Sequence, residues 1–235
     1  MIRPAKGFGI SFVTFALSLI MTTPALASGT VNSVTYNRIV HAYNDTPNVW
    51  LTFDDCGSDA QFSSILNTLK RYHVRGRFFL NGTCLTAHRT MIARIKNEGH
   101  YLENHGYQHY DMTKMSDSQV LYQIDHGPRP TSPIKLLRPP YGAGAFTMRL
   151  YNLAASRGYK LAFWTVDSCD WSGISASTII SRIRYGGSGT KCGTTPKAYA
   201  GGIVLMHVFG AHTYQALPGV ILALRTRGLR LDSTL

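Results

Sequence analysis

Hydrophobic positions along this chain alternate between two periods. Short, mostly apolar runs have the length and composition of buried strands: Val49-Trp50-Leu51, Arg77-Phe78-Phe79-Leu80, Tyr101-Leu102-Glu103, Lys135-Leu136-Leu137, Tyr159 to Val166, Ile203-Val204-Leu205-Met206 and Leu229 to Leu231. Between them, apolar residues recur at helical spacing. Phe62, Ile65, Leu66, Leu69 and Tyr72 predict a helix over 59–73 capped by Ser58, and Met91, Ile92 and Ile95 a second, closed by Gly99. A third is expected over 116–125 from Ser116, a fourth at about 145–157, and a fifth from Ile174 to Ile183. Leu217, Val220, Ile221 and Leu224 mark the last, with Pro218 near its start. Residues 185–201 read as the longest irregular loop. Strands and helices alternate about seven times, which predicts one α/β domain with a mostly parallel sheet and suits a barrel with one unit missing or irregular.

The pattern breaks in a consistent way where strands end. Thr52-Phe53-Asp54-Asp55, His105, Arg138, Asp167 and His207 each place an ionisable group at the close of an apolar run. In isolation, Asp54-Asp55 reads as a solvated acid beside a helix cap. The recurrence at other strand ends points instead to a site at one mouth of the sheet. His105 and His109 are four apart, so a helical turn would face both to one side. With the Asp55 carboxylate they make two imidazoles and one oxygen. That set suits a single divalent ion, zinc first, with a position left open, and cobalt, nickel or manganese also fit.

Composition changes the picture at the N-terminus. Arg3 and Lys6 precede an uncharged run from Phe8 to Met21, and Ala25-Leu26-Ala27 follows as a cleavage pattern. Residues 1–27 therefore read as a secretory signal, too short for a membrane span, with 28–47 an extended lead-in and 48–235 the catalytic domain. Without Arg3 and Lys6 the chain keeps 22 basic against 12 acidic residues, a net of +10. An exported basic chain points to an anionic neighbourhood such as a cell-wall polymer, in the envelope, periplasm or medium. Nucleic acid is excluded as the expected partner because the basic residues are scattered and no recognition motif is present. No anchor is expected after cleavage, and a monomer is expected. The four cysteines favour two disulfides. Cys56–Cys84 would join loops after two successive strands, and Cys169–Cys192 would close a long loop.

Five motifs occur in order: Thr52-Phe53-Asp54-Asp55, His105-x-x-x-His109, Arg138-Pro139-Pro140-Tyr141, Asp167-x-x-Asp170-Trp171 and Leu205-x-His207. Over roughly 48–231 the chain resembles the polysaccharide deacetylases of the NodB-homology type, carbohydrate esterase family 4. The resemblance implies a distorted (β/α)7-type barrel and metal-dependent removal of N-acetyl groups from chitin-like or peptidoglycan sugars, or of O-acetyl groups from xylan. A carbohydrate-binding homologue without strong turnover is the remaining alternative. The resemblance also implies Asp55, His105 and His109 as metal ligands, Asp54 as general base and His207 as general acid. Arg138 and one of Asp167 and Asp170, with Asp170 slightly preferred, would tune that pair. The Tyr141 N–H would assist at the oxyanion, and Trp171 and Leu205 would wall the acetyl methyl. Without the metal, one of Asp54 and Asp55 should have a raised pKa.

The chain departs from the family pattern at Cys56-Gly57-Ser58, at Gly106 after the first histidine, and at Val208 after His207. His41, His73, His88, His100 and His126 match no motif and are expected to be structural. His212 is a weaker candidate for the cleft. Tyr107 and Tyr110 flank the metal motif and could stack on sugars or simply pack. Asn44-Asp45-Thr46 and Asn81-Gly82-Thr83 match the glycosylation pattern.

Overall fold

A computed structural model describes residues 48–232. The expected leader, the lead-in, His41 and the Asn44 sequon lie outside the described residues. The chain runs β1 (Asn48–Asp54), α1 (Asp59–Arg71), β2 (Arg77–Leu80), α2 (Cys84–Ala87), α3 (Arg89–Asn97), β3 (Tyr101–Asn104), α4 (Asp117–His126), β4 (Leu136–Leu137), α5 (Met148–Ser156), β5 (Lys160–Leu161), β6 (Val166–Asp167), α6 (Ala176–Tyr185), β7 (Gly187–Gly189), β8 (Gly193–Thr195), β9 (Ile203–His207), α7 (Thr213–Arg225) and β10 (Arg230–Leu231). Eight strands form one parallel sheet in the order β5-β4-β3-β2-β1-β9-β6, with β10 also paired to β1. The sheet curls into a half-barrel, the distorted form of the expected barrel.

The distortion has a local cause. The single strand expected over Tyr159 to Val166 is split into β5 and β6, the two edges of the sheet. Ala162 N still donates to Leu137 O on one edge, while Thr165 N donates to Ile203 O on the other. Residues 162–165 therefore cross the open side of the barrel. The carbonyls of Ala162 and Phe163 accept from Arg138 Nε and Nη2 at 3.1 and 3.0 Å. A buried guanidinium takes the place of a sheet partner there.

Alternation along the strands sorts side chains to two faces. Val49, Leu51 and Phe53 of β1, with Val204 and Met206 of β9, pack against α1 and α7 in one apolar cluster. Trp50 and Ile203 face inward with Phe79, Leu137 and Phe163. Thr52, Asp54, Arg77, Glu103 and Arg138 lie on this inner side too, all 2 % exposed or less. The barrel axis is therefore filled by charge and aromatic rings: Arg77 sits over the Trp50 ring and pairs with Glu103, and Arg138 sits over Phe79.

Two helices begin as their capping sequences dictate: Ser58 with Gln61 and Ser116 with Gln119 form capping boxes. Two other expectations need correction. Pro218 lies inside α7, which begins at Thr213. Proline removes one helical hydrogen bond, but Ala216, Leu217, Val220 and Ile221 are fully buried along the same helix and hold it together. The loop expected over 185–201 contains the antiparallel hairpin β7–β8. Both expected disulfides are present, Cys56–Cys84 and Cys169–Cys192, with Cα separations of 5.9 and 5.7 Å. Among the described residues no helix is long and apolar enough to cross a membrane.

Candidate active site

Parallel pairing brings the strand ends together. Asp54 of β1 is in register with His207 of β9 on one side and Phe79 of β2 on the other. A cleft of about 490 Å³ opens above them, and it contains Asp54, Asp55, His105, His109, Asp167 and His207. Tyr141, Trp164, Trp171, Leu205 and Phe209 form its apolar walls, and Lys191 and Cys192 its rim.

Asp55, His105 and His109 each present one donor atom, all within 4.8 Å of one another. Asp55 Oδ1 lies 3.3 Å from His109 Nε2 and 3.6 Å from His105 Nε2. Arg138 O accepts a hydrogen bond from His105 Nδ1 at 2.6 Å, which leaves the Nε2 lone pair facing the other two donors. Burial pushes the His105 pKa down to about 3 against the pull of Asp55, so the ring is neutral, as a ligand must be. Two imidazoles and a carboxylate with an open side fit a divalent ion.

The two histidines do not share a helical turn. Residues 105–109 form a loop, with Gly106 at φ +77° and His109 at φ 57°. The loop is held from below by two buried amides. Gln123 Oε1 accepts from Tyr107 N and Gln108 N at 3.0 and 2.9 Å, and Asn104 Oδ1 accepts from Gly106 N at 2.7 Å. Asp55 is set the same way: it adopts φ 63°, and Asn81 Nδ2 donates to its Oδ1 at 3.1 Å. Asn81 is only 8 % exposed, so the sequon it heads is structural rather than an acceptor for a glycan.

Asp54 is 2 % exposed. Burial raises its pKa, with the charges of Arg138 and His207 opposing. Asp54 thus shows the raised pKa expected within the acidic pair when no metal is bound. Arg138 Nη1 donates to Asp54 Oδ1 at 2.6 Å and to Thr52 Oγ1 at 2.9 Å. Asp54 Oδ2 remains 3.9 Å from His105 Nε2, at the edge of the three-donor cluster.

His207 is gripped by Asp170 rather than Asp167. Its Nδ1 hydrogen-bonds Asp170 Oδ1 at 2.8 Å, and its backbone N–H donates to Asp170 Oδ2 at 2.7 Å. Thr213 Oγ1 donates to the same Oδ2. Burial alone would lower the His207 pKa; the Asp170 hydrogen bond and charge, with Asp54 and Asp55 behind, outweigh it and leave it raised. Asp167 faces the cleft and accepts from Cys169 N at 2.7 Å. Tyr141 adopts φ 62° and sets its ring edge against His109 with centroids 4.5 Å apart. Leu205 is 3 % and Trp171 39 % exposed, the first a floor and the second a lip.

Among residues that the sequence did not place at the site, Asn81, Gln123 and Thr213 position site groups. Asn81 had a visible signal, a polar group closing a strand like the others. Gln123 and Thr213 had none. His212 bonds Gln215 at the start of α7 and Phe209 takes the place in the cleft considered for it. Tyr107 packs edge-on to Tyr122, and neither it nor Tyr110 lines the cleft.

The chain also has recognisable relatives among known proteins. The profile of the polysaccharide deacetylase family matches residues 41–162, just over half of the chain. A peptidoglycan-N-acetylglucosamine deacetylase of Bacillus cereus is 32% identical over 77% of this chain and 65% of its own length. The peptidoglycan-N-acetylglucosamine deacetylase PgdA of Listeria monocytogenes is 30% identical over 76% of this chain and 36% of its own. The chain thus spans less than two thirds of either relative. Among solved structures, a family 4 carbohydrate esterase from Streptomyces lividans in complex with acetate superposes with a TM-score of 0.64 at 27% identity, over 78% of this chain and 91% of that one. With that profile lying across β1 to β5 and the three-donor cluster, the chain belongs to the polysaccharide deacetylase family.

Proposed function

We propose that residues 48–235 form an exported, metal-dependent deacetylase that removes N-acetyl groups from an N-acetylglucosamine polymer, peptidoglycan first. The observation that carries this reading is the meeting, in one cleft, of a three-donor metal cluster, a buried carboxylate and a histidine held by a second carboxylate. The relatives named for peptidoglycan and the basic composition support the substrate class.

Asp55, His105 and His109 would hold the ion, with zinc the first choice. A divalent cation held there would supply polarisation of an acetyl carbonyl and acidification of water. Asp54 is the proton acceptor for the attacking water. Arg138 keeps one Asp54 oxygen occupied and aims the other at the cleft. His207 is the proton donor to the departing nitrogen, which an amide needs before it can leave. Asp170 fixes the His207 ring, and its hydrogen bond and charge favour the cationic imidazole. The Tyr141 N–H assists the developing oxyanion. Leu205 and Trp171 enclose the methyl group and exclude bulkier acyl chains. Asp167 shapes the loop that carries Asp170 through its bond to Cys169 N.

Acetate release from N-acetylglucosamine oligomers, peptidoglycan and acetylxylan, each with and without chelator, tests the reading. Release from the first two, abolished by chelator and restored by zinc, is expected. Release from acetylxylan alone would reassign the enzyme to O-acetyl esters, and release from none would leave a binding protein.

A further inference from the structure

A second hollow lies against the cleft. It has a volume of about 250 Å³, and Lys191 and Cys192 belong to the walls of both. Its floor is Arg182 of α6, only 5 % exposed. The remaining walls include Ser172, Thr178, Ser188 and Thr190, and none of its lining residues is acidic. Arg182 is poorly satisfied for a buried guanidinium. Its Nε is buried without a partner, and Nη2 reaches Gly193 O only at 3.4 Å. The Asp167 carboxyl feels its charge, but among the described residues no carboxylate makes an ion pair with Arg182 or with Lys191.

A buried guanidinium without a counter-charge is costly unless an anion completes it. The surrounding fold holds it in place. The Cys169–Cys192 disulfide ties the hairpin over α6, and the side chain of Thr195, at the hairpin's end, accepts from Asp167 N at 2.9 Å. A Cβ at Gly189 would lie 3.0 Å from Arg182 Nη1 and 2.7 Å from Cys192 Sγ, so a glycine there lets the hairpin close down on the arginine. Lys191, exposed on the connection between β7 and β8, stands where the hollow opens into the cleft.

We infer that this hollow is an anion subsite for the substrate, taking a carboxylate carried by the glycan beside the N-acetylated sugar in the cleft. Arg182 is its buried floor and Lys191 its exposed rim cation. The planar guanidinium suits a carboxylate, and the lysine adds attraction at the entrance. The inference rests on the glycan deacetylase reading and narrows it: the preferred polymer is anionic, with neutral chitin-type oligomers poorer substrates.

The test compares an N-acetylglucosamine glycan bearing a carboxylate on alternate sugars with the same glycan after reduction of those carboxylates to alcohols. For the wild type, kcat/KM is expected to favour the carboxylate form, and the preference should shrink as salt screens the rim charge. In Lys191→Gln and Arg182→Gln the ratio of the two kcat/KM values should fall about tenfold, mainly through KM. Lys191 is exposed, so its variant reports even if Arg182→Gln fails to fold. Calorimetric binding of both glycans to zinc-loaded Asp54→Asn and Asp54→Asn/Lys191→Gln separates the two claims. Tighter binding of the carboxylate form that is lost with Lys191 supports the subsite even if the wild type releases no acetate. An unaltered ratio in both variants, or equal loss on both glycans, overturns it.

Discussion

At the scale of single residues, two adjacent aspartates have been given different surroundings. Asp55 turns out of the strand at φ 63° toward the imidazoles, while Asp54 stays on the inner face of β1 against Arg138. Asp54→Asn should lower acetate release by about 10²–10⁴-fold, the range for losing a general base, with metal content unchanged. Metal loss in that variant would move Asp54 into the ligand set, and full turnover would remove it from the chemistry. The Asp170–His207 pair makes a prediction with a sign. As the proposed proton donor His207 must be cationic, and Asp170 raises its pKa over the opposition of burial. Activity is therefore expected below that raised pKa and should be lost as pH rises through it. Asp170→Asn removes the charge but can retain a hydrogen bond, so the alkaline limb of kcat should move to lower pH. An alkaline limb that stays in place while kcat falls would assign the limb to another group.

At the scale of elements, the loop after β3 is where sequence patterning and structure part company. Spacing of four between His105 and His109 was legible; the means of bringing them together was not. A helical turn does it by periodicity, whereas here left-handed residues at Gly106 and His109 do it, braced by Gln123 and Asn104. Gly106 is one of the positions at which the sequence departs from the family pattern. A Cβ there would meet Met112 Cε at 2.9 Å, in a φ that disfavours any side chain by about 1–2 kcal/mol. Gly106→Ser should lower Tm and weaken zinc affinity together; unchanged affinity with a lowered Tm would show the loop to be uncoupled from the ligands. Most strands of the main sheet, their parallel direction and the ionisable groups at their ends were readable because a buried strand needs an unbroken apolar run and a polar cleft interrupts it. The split between β5 and β6 was not readable, because it depends on Arg138, distant in sequence, taking the carbonyls of Ala162 and Phe163. Pro218 misled for the reverse reason: local propensity argues for a helix start there, and burial along the whole of α7 overrides it.

Across the whole molecule, buried titratable groups pull stability in opposite directions with pH. Burial raises the Glu103 pKa to about 7 and also raises Asp54 and Asp167, so the folded state takes up their protons more readily than the unfolded chain, and acidification favours folding through them. His100 works against this. It is 5 % exposed under α3, its Nδ1 accepts from Gly76 N at 3.2 Å, and its ring lies 5.7 Å from that of Phe78. Burial, opposed by the charge of Glu98 and aided by those of Arg75 and Arg94, lowers its pKa from 6.5 to about 4. Its contribution is fully present above pH 6.5, where both states are neutral, and is lost as pH falls toward 4, because the unfolded chain gains the proton first. At about 1.4 kcal/mol per pH unit, the loss amounts to about 2–3 kcal/mol across that window. Because the carboxylates mask this in the wild type, the informative quantity is the difference from a variant that keeps the acceptor without titrating. His100→Asn offers its side-chain oxygen to Gly76 N–H and has no proton to gain. Urea midpoints at pH 7.5 and 4.5 should show the variant less stable at the higher pH and the gap closing by about 2 kcal/mol at the lower. Both proteins share the same three-donor cluster and carboxylates, so a gap that holds constant between the two pH values would mean that His100 accepts its proton in the folded state.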